Sequence, residues 1–135
     1  MIVIHTTEGS YQSAINWFQS PNSHVSAHYV TSKAGEITQM VADKDIAWHA
    51  GNYAYNQRSI GIENEGYVAN NPPITQLSTL SKLVKYLCLK YNIPIDHAHI
   101  IGHDDVPNQS PDHHTDPDPN FDWPGFISMV QSQSC

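Results

Sequence analysis

The chain has 135 residues, a length at which one core buries about two-thirds of the extended surface, so a single domain over residues 1–135 is expected. Hydrophobic residues make up 39% and charged residues 14%, which is too apolar and too weakly charged for a disordered chain. A formal charge of -7, with no stripe of Lys or Arg, sets nucleic acid and anionic membrane aside as partners, because both reward positive charge.

In chain order, Ile2 to Ile4 is a β-branched run that reads as a buried strand delivering His5 to its end. Helical apolar spacing follows from Ser10 to Gln19, with Tyr11, Ala14, Ile15 and Phe18 on one face and Pro21 as the stop. Between Val25 and Ala50 the strand-like runs Ser26 to Thr31, Ile37 to Val41 and Ile46 to His49 alternate with turn signals and predict a meander. Ser59 to Glu65 alternates, with Ile60 and Ile62 on one face and Gly61, Glu63 and Glu65 on the other. The strongest helix is predicted over Thr75 to Tyr91, where Leu77, Leu80, Leu83, Val84, Leu87 and Cys88 form an apolar stripe that ends at Asn92-Ile93-Pro94. A second buried strand, His99 to Gly102, delivers His103. The segment from Asp104 to Pro119 reads as loop, since its prolines block helix and ladder alike. A last helix is expected from Trp123 or Pro124 to Val130.

Apolar runs fall far short of the roughly 20 residues that span a bilayer. Met1 to His5 lacks the charged and long apolar regions of a signal peptide, so export, if it occurs, is expected to use another route or a partner domain. The two cysteines permit one disulfide, but Cys135 is the final residue and a Cys88–Cys135 bridge is not expected. The unusual number is nine histidines. Histidine is the commonest metal ligand and the acid–base group that works near neutrality.

Two histidines at strand ends and an aspartate in a proline-stiffened loop can supply three ligands and leave a fourth position for water, as catalytic zinc is held. Bound zinc brings the pKa of water toward ~7 and polarises carbonyls. No compact metal motif links His5 to His103, and on the residues alone the plain reading of His5, a satisfied polar group at a strand end, stays the stronger one.

Several stretches carry a resemblance. Val3-Ile4-His5-Thr6-Thr7-Glu8-Gly9, Ser26-Ala27-His28-Tyr29, Ala47-Trp48-His49-Ala50-Gly51, Ser59-Ile60-Gly61-Ile62-Glu63, Ile100-Ile101-Gly102-His103-Asp104 and His114-Thr115-Asp116-Pro117 occur in order, followed by Phe121-Asp122-Trp123. Together they resemble the type 2 N-acetylmuramoyl-L-alanine amidases, a family that includes amidase-type phage lysozymes and peptidoglycan-recognition proteins. The resemblance implies an α/β fold of the α+β type, a central mixed sheet of about five to six strands flanked by helices. It implies a Zn2+ cofactor held by His5, His103 and Asp116, and hydrolysis of the amide bond between the lactyl group of N-acetylmuramic acid and L-Ala. Glu63 matches the carboxylate that activates water in one branch of the family. The phage-lysozyme branch carries a Tyr near position 27, where this chain has Ala27, which favours the Glu63 version.

Two departures stand out. The family usually has Lys before Thr-Asp-Pro, stabilising the oxyanion, and His114 stands there instead, so a titratable imidazole replaces a permanent charge. Asp118 replaces the usual Gly, and the unusual Asn108 to His113 stretch leaves His113 as a substitute for His114.

Each of these residues also has a plainer reading. Glu63 could be a solvated strand carboxylate, and Asp116 a turn former. His49 reads either as a hydrogen-bonded wall of the cleft or, with Trp48, as a substrate contact. His28 reads as core or as a support behind the ligands. His24, His97 and His99 are assigned no role, and Trp123 reads as an anchor for the last helix. The expected partner is bacterial peptidoglycan or its muropeptides, bound by a monomer without nucleic acid or membrane. The rival function is a peptidoglycan-binding module that does not cleave, and a third is a zinc peptidase acting on another acyl-amino bond.

Overall fold

A computed structural model describes residues 1–134; the Cys88–Cys135 pairing considered above lies outside the described residues. The chain runs β1 (Ile2–Thr6), α1 (Tyr11–Gln19), β2 (Tyr29–Thr31), β3 (Ile37–Gln39), α2 (Tyr53–Arg58), β4 (Ile60–Asn64), α3 (Ile74–Tyr91), β5 (Ile100–Gly102), a 3-10 turn (His103–Asp105) and α4 (Trp123–Ser132). Five strands form one mixed sheet in the order β3-β2-β4-β1-β5. β1 lies parallel to both β4 and β5, and β2 is parallel to β4 but antiparallel to β3. No helix is long and apolar enough to cross a membrane.

The period of two along the central strands decides where the site can be. Ile2 and Ile4 of β1 and Ile60 and Ile62 of β4 turn toward α3 and α4, where they pack with Leu80, Val84, Leu87 and Phe126 in the main core. Val3 and Ile101 turn to the other face and meet Ala50 and Val106 in a smaller cluster. His5 shares the face of Val3, and the parallel register sets it beside Glu63. The same alternation that buries the isoleucines therefore aims His5 and Glu63 into one space.

Helix α1 is capped by Ser10, whose side chain accepts from the Ser13 amide. Helix α3 ends where Asn92 takes the left-handed conformation at φ 53 and its amide donates to the Cys88 carbonyl. Trp123 packs on the core edge and stacks on His97 at 4.3 Å between centroids.

The predicted meander is corrected. Ser26 to Thr31 shortens to β2, and Ile46 to His49 forms no strand. Its backbone donors go elsewhere: the Trp48 amide donates to the Ser26 hydroxyl, and the His49 and Ala50 amides donate to Asn56 Oδ1. With those donors spent, no ladder can continue through the segment. Helix α2 was not anticipated, since one and a half turns are too short to show periodicity.

Candidate active site and metal centre

Residues from four parts of the chain meet at the C-terminal end of β1. His5 comes from β1 itself and His103 from the turn directly after β5. Asp116 arrives on the loop that follows, fixed by two backbone bonds: the Thr6 amide donates to its Oδ2 at 3.0 Å, and its own carbonyl accepts from the Asp104 amide at 2.9 Å. Gly102 permits this close approach, because a Cβ there would lie 2.8 Å from Pro117 Cδ.

One ligand atom from each of His5, His103 and Asp116 lies within 4.8 Å of the others, and all three residues are buried. His5 Nδ1 is 3.5 Å from Asp116 Oδ2, and His103 Nδ1 is 3.1 Å from Asp116 Oδ1. The far nitrogen of His103 donates to the Ala50 carbonyl, 3.2 Å away, which leaves Nδ1 as the inward atom. Two imidazole nitrogens and a carboxylate oxygen form a set that can coordinate a metal ion, with the remaining side open to the cleft.

Glu63 stands next to this set, with Oε1 3.8 Å from His5 Nδ1. Its Oε2 is buried and, among the described residues, has no hydrogen-bond partner. Burial pushes the Glu63 carboxyl up to about 8, and the charge of Asp116 adds to the shift. Burial drives His5 the other way, to about 4. Asp116 is held well below the usual carboxylate range: burial opposes its ionisation, but the adjacent imidazoles of His103 and His5 outweigh that cost. An ionised Asp116 and a basic Glu63 carboxyl beside neutral His5 form a charge pattern suited to a positive ion.

The cleft has a volume of about 1140 Å³ and, among the described residues, no Lys or Arg lines it. His114 stacks on His103 with centroids 4.6 Å apart, and its Nδ1 is 4.0 Å from Asp116 Oδ1. His113 also lines the cleft, so either imidazole faces it. Trp48 is half exposed at the rim, stacked on Tyr53 at 5.5 Å. His49 lines the wall, but its Nδ1 meets His5 Nε2 at 2.9 Å and its Nε2 meets the Ser59 hydroxyl at 3.1 Å, so it keeps no free nitrogen for a substrate. His28 lies beneath it, fully buried, its Nδ1 accepting from the Gly61 amide and its Nε2 donating to the Asp45 carbonyl. Ser59 and Asn56 were not anticipated; a serine and an asparagine beside a short helix carry no pattern that distinguishes them from ordinary caps.

The sequence model of the N-acetylmuramoyl-L-alanine amidase family matches residues 1–119. The chain belongs to that family. N-acetylmuramoyl-L-alanine amidase A of Achromobacter lyticus is 31% identical over 96% of this chain and 81% of its own length. The 1,6-anhydro-N-acetylmuramyl-L-alanine amidase AmpD of Salmonella typhimurium is 38% identical over 82% of this chain, but the match spans only 59% of that relative. A crystal structure of a selenomethionine derivative of AmpD superposes with a TM-score of 0.77 at 30% identity, covering 96% of this chain and 83% of that one. AmiD of E. coli, in complex with the substrate anhydro-N-acetylmuramic acid-L-Ala-D-gamma-Glu-L-Lys, gives a TM-score of 0.81 at 26% identity over 96% of this chain and 56% of that one. The chain therefore shares the mixed-sheet fold of its relatives and carries a His-His-Asp cluster consistent with a metal-dependent amidase site.

Proposed function

We propose that this protein is a zinc amidase that hydrolyses the bond between the lactyl group of N-acetylmuramic acid and L-Ala, working as a monomer on cell-wall peptidoglycan after secretion or lysis. The observation that carries the reading is the convergence of His5, His103 and Asp116 within 4.8 Å, beside Glu63, whose buried Oε2 lacks a partner among the described residues. The muropeptide bound by E. coli AmiD supports the substrate class.

Three protein ligands with an open side fit a catalytic rather than a structural zinc. When bound, the ion lowers the pKa of water and polarises a carbonyl. The chain's own residues do the proton work. Glu63, made more basic by burial, takes the proton of the attacking water and returns it to the L-Ala nitrogen as the amide bond breaks. His114 donates a hydrogen bond to the oxyanion that forms on the lactyl carbonyl, with His113 as its neighbour on the same loop. Trp48 offers the sugar or the peptide stem an apolar face at the rim.

The test is release of new L-Ala amino groups from purified peptidoglycan. The wild type is expected to release them, and Glu63→Ala to bind the wall while releasing few. Wall binding by the wild type without amine release would make the protein a recognition module instead, and cleavage of short acyl-peptides in preference to wall would make it a zinc peptidase.

A further inference from the structure

His49 makes no contact that the proposed chemistry requires, yet its position is closely determined. Its backbone amide, like that of Ala50, donates to Asn56 Oδ1 in α2, at 3.1 and 2.8 Å. Its ring lies against Gly61 of β4, where any Cβ would come within 2.5 Å of His49 Cγ. Only glycine lets the ring sit there. The edge of His28 closes the third side, with centroids 5.9 Å apart.

The direction of its hydrogen bonds follows from one proton. The Ser59 hydroxyl donates to the Tyr55 carbonyl at 2.5 Å, in the last turn of α2, where carbonyls lack helical partners. A hydroxyl has a single hydrogen, so toward His49 Nε2 at 3.1 Å Ser59 can only accept. His49 therefore carries its proton on Nε2 and presents a bare Nδ1 to His5 Nε2 at 2.9 Å. His5 must then be the donor, protonated on Nε2 with Nδ1 bare. That bare nitrogen faces Asp116 and Glu63 at 3.5 and 3.8 Å, too far for either carboxylate to compete with the shorter bond.

We propose that Tyr55 carbonyl, Ser59 hydroxyl and His49 form a relay that locks His5 in its Nε2-protonated tautomer, making His49 and Ser59 positioning residues that keep His5 Nδ1 free as a ligand. The proposal rests on the metal-site reading above for its consequence, but its first readout is independent of metal. If the relay ran in reverse, His5 would carry its proton on Nδ1 and the ligand set would be short of one lone pair.

The experiment has two arms. In metal-free, 15N-labelled protein, long-range proton–nitrogen spectra distinguish protonated from bare ring nitrogens, with His5 assigned by the signals lost in His5→Gln. His5 is expected as the Nε2–H tautomer in the wild type and predominantly as the Nδ1–H tautomer in Ser59→Ala. In the second arm, zinc affinity is measured by chelator competition, with thermal melts to confirm folding. Affinity is expected to fall by roughly 10- to 100-fold in Ser59→Ala and His49→Phe. It should recover in His49→Asn, whose side-chain oxygen replaces the bare Nδ1. An Nδ1–H tautomer of His5 in the wild type, or unchanged zinc affinity in folded Ser59→Ala, overturns the proposal. A wild type that binds no zinc contradicts the proposed function instead, and the spectra then decide the relay alone.

Discussion

Glu63 and His5 occupy paired positions on adjacent parallel strands, and that register brings a carboxyl group beside the His5, His103 and Asp116 cluster without help from any loop. Glu63→Gln preserves shape and hydrogen-bonding capacity but removes the base, so kcat is expected to fall by about 10²- to 10⁴-fold while zinc affinity stays within a few-fold of the wild type. Steady-state kinetics with parallel chelator competition separates the two effects. His114 is tested by its hydrogen bond. His114→Ala removes the donor and is expected to lower kcat by about 10²- to 10³-fold, and an undiminished kcat in the folded variant would remove His114 from the oxyanion. The gathering of His5, His103 and Asp116 beside Glu63 was legible from ordered motifs. The commitment of His49 to His5 was not, because ring orientation depends on Gly61 and Ser59 pressing from another strand and helix.

At the scale of elements, the long helix and the apolar strands were readable because each has one dominant neighbour, and hydrophobic period then decides the outcome. Helix α3 begins within one residue of the expected start and ends at the expected Tyr91. The segment from Ile46 to His49 looked like a strand for the same reason, but side chains from Ser26 and Asn56 took its backbone donors. The neighbouring loop has its own fixing point. Asp43 accepts from the hydroxyls of Tyr29 and Tyr91 at 2.5 and 2.6 Å, which ties it to β2 and to the end of α3. Burial opposes ionisation of Asp43, but the two tyrosine hydroxyls outweigh it and lower its pKa from the usual 3.8. A depressed pKa gives stability that is present above the unfolded value and is lost as pH falls through the folded one. Asp43→Asn is expected to cost about 1.5 to 3 kcal/mol at pH 7, the range for hydrogen bonds to a charged group. The deficit should shrink as pH falls below 3.8, as followed by thermal melts across pH. A deficit independent of pH would mean that packing, not charge, holds the loop.

Over the whole molecule, the site is assembled from segments far apart in sequence, and the sheet is what joins them. Ligands fixed by a folded sheet couple metal binding to folding, so zinc at about 100 times its Kd should add about 2.7 kcal/mol of stability, seen as a raised Tm that chelation reverses. The most direct measurement is a zinc titration of the chelated enzyme in which bound metal and amine release from peptidoglycan are followed together. The expected result is one zinc per chain, activity rising in proportion to occupancy, and loss of both in His103→Ala. Full amine release from metal-free enzyme, or zinc bound with undiminished affinity in His103→Ala, would contradict the assignment of His5, His103 and Asp116 as the catalytic metal site.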